Sequence, residues 1–158
     1  MDISKLLASL NGRRVRYVVI GAMAFPLYGY ARTTLDVDIL IEPTLANARR
    51  TIAALQEFGY DTAELTAQEL LARKTLFRQY RLDTDIHPFA AGADFERVWQ
   101  NSIAGTIAGT PAHIVSLDDM IRMKAAAGRA KDRFDLKALR ALRARMQKRK
   151  TDSERRNH

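Results

Sequence analysis

Two periods of hydrophobic and polar positions run along this chain. Leu6, Leu7 and Leu10 recur at helical spacing and predict a short helix over residues 1–10. Residues 15–20 are apolar except for Arg16 and predict a strand. Gly21 turns the chain into a helix over 22–28, with Pro26 tolerated in its first turns and Gly29 as its C-cap. A second strand is predicted over 35–41. Pro43 and Thr44 then open a helix that runs to about Phe58 and stops at Gly59, followed by a shorter one over 67–73.

Residues 75–87 are strand-like in two ways, as a hairpin turning near Gln79 or as one long bulged strand. A helical turn or two is predicted over 95–100, and a hairpin about Gly109-Thr110 joins strands over 103–108 and 112–115. Ser116, with Asp119 three residues on, resembles a capping box and starts a helix over 117–127 that Gly128 breaks. A last helix carries Phe134, Ala138, Leu142 and Met146 four residues apart, predicted as a core stripe. No internal repeat or linker divides the chain, so one α+β domain over 1–158 is expected, with a basic C-terminal helix and tail over about 131–158.

Composition narrows the class. At 158 residues and 47% hydrophobic, the chain is long and apolar enough for a real core and unlike a disordered one. It has no cysteine, which excludes disulfides and thiolate metal sites. The longest apolar run, 17–28, is too short to span a bilayer and is interrupted by Gly21 and Pro26. The N-terminus begins with an acid and lacks a signal-peptide layout. A soluble, cytoplasmic protein is expected, with no membrane partner.

The net charge of +8 is unevenly placed. Between residues 139 and 158 lie eight basic residues and two acidic ones, leaving eighteen basic against sixteen acidic before them. The body is nearly neutral and the basicity belongs to the C-terminal helix and tail. That segment is either a solvated helix face or a contact for RNA phosphates.

The candidate chemistry lies in GYARTTLDVDILIEP, residues 29–43. Asp36 and Asp38 fall on one face of the predicted strand because side chains alternate along it. Two like charges this close are kept cheaply only in open water or around a cation, and carboxylates in such a pair suit Mg²⁺. Gly21, at the end of the preceding strand, lets a phosphate approach the backbone at a helix start. In YRLDTDIHPF, Asp83, Asp85 and His87 also alternate onto one face, which offers a third carboxylate or, alternatively, an exposed polar edge.

These residues carry a resemblance. VVIGAMAFPLYGYARTTLDVDILIEP is similar to nucleotidyltransferase-fold proteins related to polymerase beta, nearest to their abortive-infection and toxin–antitoxin branch, whose pattern is strand, Gly-Gly or Gly-Ser, helix, Gly-x-x-Arg-x-Thr, Asp-x-Asp. SLDDMIRMKAAAGRAKDRFDLKAL resembles a later helix of that branch, and LDTDIHP resembles the third-carboxylate strand of small lincosamide nucleotidyltransferases. The resemblance covers most of the chain, from about Val15 to Leu139. It implies a small mixed β-sheet flanked by helices with a C-terminal helical segment, and transfer of a nucleoside monophosphate from a nucleoside triphosphate to an acceptor. It implies two Mg²⁺ ions held by Asp36, Asp38 and Asp85, with Asp85 or Asp83 taking the acceptor's proton. Gly21, Ala22, Arg32, Thr34 and Lys124 match its nucleotide-binding positions. Ala22 departs from the glycine or serine of the pattern.

Arg32 and Thr34 have a plain alternative in packing and capping the strand, and Lys124 in pairing with Asp119 or Asp132. Asp132 and Asp135 are expected to meet basic neighbours rather than metal. The acceptor implied is RNA, a protein or a small molecule, with a partner toxin or antitoxin in view. Two other functions fit the same residues: a catalytically weak antitoxin or RNA-binding module of this fold, and an antibiotic nucleotidyltransferase.

Overall fold

Helix α1 (Ile3–Gly12) buries Leu6, Leu7 and Leu10 completely, as their spacing requires. The computed structural model describes residues 3–30, 34, 36–79 and 82–158. Strand β1 (Tyr17–Ile20) is buried along its whole length. The chain then turns at Gly21, whose φ of +74° is left-handed, into a 3₁₀ helix, Gly21–Tyr28. Pro26 sits inside that helix rather than in its first turns, and Gly29 ends it in the left-handed conformation.

Strand β2 (Asp36–Ile41) changes character along its length. Asp36 is exposed, whereas Ile39, Leu40 and Ile41 are buried on both faces. It is followed by helices α2 (Leu45–Phe58), capped by the Thr44 hydroxyl, and α3 (Ala67–Ala72), capped by Thr66. Strands β3 (Thr75–Phe77) and β4 (Asp83–His87) pair antiparallel, which settles the 75–87 segment as a hairpin. Tyr60 anchors it from beneath: its hydroxyl donates to Leu82 O at 2.6 Å and lies 2.8 Å from Thr84 Oγ1, while its ring packs on Phe77.

Helix α4 (Phe95–Asn101) leads to the hairpin β5 (Ile103–Ile107) and β6 (Thr110–Ile114). Ser116 caps α5 (Leu117–Ala127) by accepting from the Asp119 amide, and Gly128 closes it. The six strands form one mixed sheet in the order β3-β4-β2-β1-β6-β5, with β2–β4 and β1–β6 parallel and the other pairs antiparallel. Among the described residues no helix is long and apolar enough to cross a membrane.

The last helix, α6 (Arg133–Arg156), corrects one expectation. Phe134 is 76% exposed and Met146 49%, so the four-residue stripe is not its core face. Its buried residues are Asp135 and Leu139, and from residue 144 onward every residue is exposed.

Candidate functional site

The site forms where β1 ends and β2 and β4 begin, side by side. The antiparallel register sets Ile20 against Asp38, so the turn at Gly21 falls beside that carboxylate. The parallel register sets Asp36 against Asp83 and Asp38 against Asp85. Partners in register share a face of the sheet, and the alternating acids of both strands therefore meet on one side.

Gly21 is needed there for two reasons. Its backbone conformation disfavours any side chain, and an added Cβ would lie 2.7 Å from Asp38 Oδ2. His87 Nε2 is 2.8 Å from Asp38 Oδ1, which orients the carboxylate from the β4 side. One ligand atom each from Asp38, Asp85 and His87 lies within 4.8 Å of the others. Arg78 faces the same acids, with Nη1 2.7 Å from Asp85 Oδ1 and Nε 3.6 Å from Asp83 Oδ2.

Asp36 stands at the exposed mouth of this cluster. Its pKa is raised above the ordinary 3.8 by loss of surrounding water, then by the charge of Asp83, with smaller contributions from Asp85 and Asp38, while Arg78 opposes them. These carboxylates open onto a cleft of about 830 Å³ lined also by Gly21, Ala22, Thr34, Phe89, Met123 and Lys124. Lys74, Arg129 and Lys131 add positive charge to its walls.

The sequence-derived candidates thus divide. Asp36, Asp38, Asp85, Gly21 and Ala22 border one cleft, with Thr34 and Lys124 on its wall. Arg32 lies outside the described residues. Thr34 Oγ1 accepts from the Asp36 amide at 3.1 Å, which caps the start of β2. Lys124 Nζ sits 3.3 Å from Asp132 and 3.6 Å from Asp135, over the Phe25 ring, so its charge is already matched; Asp119 is not its partner. Asp132 also binds Arg129, and Asp135 accepts from the Tyr30 hydroxyl. Arg78 and the His87–Asp38 contact went unread in the sequence, because both depend on the register of the β3–β4 hairpin and of β2 against β4.

The donors suit a hard divalent cation. Asp38 and Asp85 supply carboxylate oxygens, and the largely buried Asp85 Oδ1 is met by the Arg78 guanidinium at 2.7 Å. His87, already bonded to Asp38, is better placed to orient a ligand than to be one.

No family model matches the chain, and no curated protein does. Solved structures similar to it include the following. The solution structure of the antibiotic-resistance factor ANT(2'')-Ia is 19% identical, with a TM-score of 0.57 over 99% of this chain and 95% of that one. The crystal structure of ANT(2'')-Ia with adenylyl-2''-tobramycin is 19% identical, at 0.57 over 93% and 95%. The lincosamide antibiotic adenylyltransferase LnuA, with lincomycin bound, is 17% identical, at 0.59 over 90% and 98%. At these identities the likeness establishes the fold. The mixed sheet, its flanking helices and the long C-terminal helix make the nucleotidyltransferase fold.

Proposed function

We propose that this protein transfers a nucleoside monophosphate from a nucleoside triphosphate to a hydroxyl-bearing acceptor, with Mg²⁺ as cofactor. The observation that carries this is the Asp38–Asp85 pairing across β2 and β4, beside Gly21, with Asp36 at the mouth of the same cleft. Asp36, Asp38 and Asp85 would hold the metal. Bound Mg²⁺ neutralises phosphate charge and lowers the pKa of the attacking hydroxyl.

The chain's own residues do the rest. Gly21 and Ala22 open the helix Gly21–Tyr28 on the cleft wall, and the first amides of that helix would meet the triphosphate. His87 fixes the orientation of Asp38. Asp85 accepts the proton of the acceptor hydroxyl as its oxygen bonds to the α-phosphorus. The bond from that phosphorus to the bridging oxygen breaks, and pyrophosphate leaves.

The acceptor we favour is a small molecule. The structurally similar proteins include one solved with adenylyl-2''-tobramycin and a lincosamide adenylyltransferase solved with lincomycin, and a cleft of about 830 Å³ has the size of a site for a nucleotide and a compact partner. A second reading has a specific support. The exposed basic half of α6 would suit an RNA acceptor, as in a toxin–antitoxin component. Incubation with each α-labelled nucleoside triphosphate and Mg²⁺, with hydroxylated antibiotics in one arm and total RNA or protein extract in others, separates them. Label in the small-molecule arm supports the first reading. Label only in RNA or protein supports the second.

A further inference from the structure

Arg78 follows β3 directly, one residue past the Phe77–Thr84 pair, and its guanidinium reaches across the hairpin. It lies 2.7 Å from Asp85 and 3.6 Å from Asp83, and its Nη1 also donates to Phe77 O at 3.1 Å. The side chain is 43% exposed, so packing does not hold it in this place. The carboxylates do. Asp85 is also one of the three residues whose ligand atoms come together in the cleft.

An arginine keeps its charge throughout the ordinary pH range. Two cations at hydrogen-bond distance from one carboxylate repel each other strongly when that carboxylate is sheltered from water. Resting on the assignment of Asp38 and Asp85 as cation ligands, we infer that Arg78 is a tethered counter-ion. It satisfies Asp85 while no divalent cation is bound and must withdraw before one binds there. The hairpin thereby carries its own competitor for the metal, offsetting part of the cluster's negative charge and leaving it weakly metal-binding in the free protein.

Mn²⁺ affinity of the full chain without nucleotide tests this, followed by the electron paramagnetic resonance signal of free Mn²⁺. Arg78→Gln should bind Mn²⁺ about tenfold more tightly than the unaltered protein, within the usual range of coupled sites. Arg78→Lys, which keeps the charge, should stay near the unaltered value. Arg73→Gln removes an exposed charge at the end of α3 and should change nothing. In chelator, Arg78→Gln should melt lower, because Asp83 and Asp85 lose their counter-ion, and should gain more than the unaltered protein when Mn²⁺ is added. Equal affinities for the Arg78→Gln and unaltered chains, with Asp38→Asn weaker, would overturn the role of Arg78 and leave the ligand assignment standing. Equal tightening by Arg73→Gln would reduce the effect to net charge and also overturn it. Absence of Mn²⁺ binding in every variant would remove both.

Discussion

Asp38 occupies the space that a side chain at position 21 would fill: a Cβ on Gly21 would come within 2.7 Å of its carboxylate. The turn that ends β1 and the acid that β2 delivers are therefore one construction. No side chain can be added at position 21 without moving the Asp38 carboxylate.

Gly21→Ala should destabilise the protein by about 1–3 kcal/mol, combining a strained backbone at φ +74° with the clash against Asp38. The two parts separate in an Asp38→Ala background, where only the backbone share should remain. Thermal melts of the two single variants and the double variant measure this. A Gly21→Ala chain melting like the original would mean that the turn is not set by this contact.

Asp36→Asn should leave the metal-free protein at least as stable as before. The folded-state pKa of Asp36 is raised, so the native state binds its proton more tightly than the unfolded chain does. Ionised Asp36 therefore costs stability above that raised value. The advantage of Asp36→Asn should be full there and vanish as the pH falls below the ordinary 3.8. Melts across pH 3 to 8 follow it. A drop in stability at neutral pH would reveal a structural partner for Asp36.

Lys124 lies on the cleft wall but is tied to Asp132 and Asp135, which are 4% and 3% exposed. Lys124→Met should cost about 3 kcal/mol, less whatever Arg129 and Tyr30 still supply to the two acids. Burial alone would raise the Asp132 pKa, but the Arg129 hydrogen bond and the Lys124 charge together bring it below the ordinary value. Its stabilisation is full above pH 3.8 and lost as pH falls through the folded value. Without Lys124 the folded value should lie closer to the ordinary one, so that loss should be smaller and complete at a higher pH. Acid titrations of stability report the shift. Unchanged stability with lost nucleotide binding would instead make Lys124 a substrate contact.

Truncation after Arg145 should leave the fold intact, since every residue beyond 143 is exposed. If RNA is the acceptor, the shortened chain should bind it more weakly and with a flatter salt dependence. Lys148, Arg149 and Lys150 would each account for a slope of about −0.9 on duplexes or about −0.7 on single strands. Affinities at several salt concentrations decide this. Identical slopes for both chains would leave the segment beyond Arg145 without a role in RNA binding.

Much of this fold is legible from punctuation. Thr44 and Ser116 cap the helices they precede, and Gly29, Gly59 and Gly128 end theirs. The acidic alternation in β2 and β4 is equally plain, because a period of two places Asp36 with Asp38 and Asp83 with Asp85 whatever the sheet order. Register is not legible. Arg78 meets Asp85 only once the hairpin alternative is chosen and its pairing known.

The stripe on α6 misleads for a different reason. A four-residue step drifts by about 40° on a helix of 3.6 residues per turn, so Phe134 and Met146 cannot both follow a straight core face. Asp135 takes an inward place instead, made tolerable by Lys124 from α5. The pairing of Asp132 and Asp135 with basic neighbours is expected from the sequence, but the burial of Asp135 at the place of a core residue is not.

The central claim is that Asp38 and Asp85 hold the cation for nucleotidyl transfer. Mg²⁺-dependent release of pyrophosphate from nucleoside triphosphates, with acceptor present, tests it most directly in Asp38→Asn and Asp85→Asn. Both variants should melt cooperatively, near the original chain, and lose at least about a hundredfold in turnover. Folded variants that retain full Mg²⁺-dependent turnover would contradict the assignment.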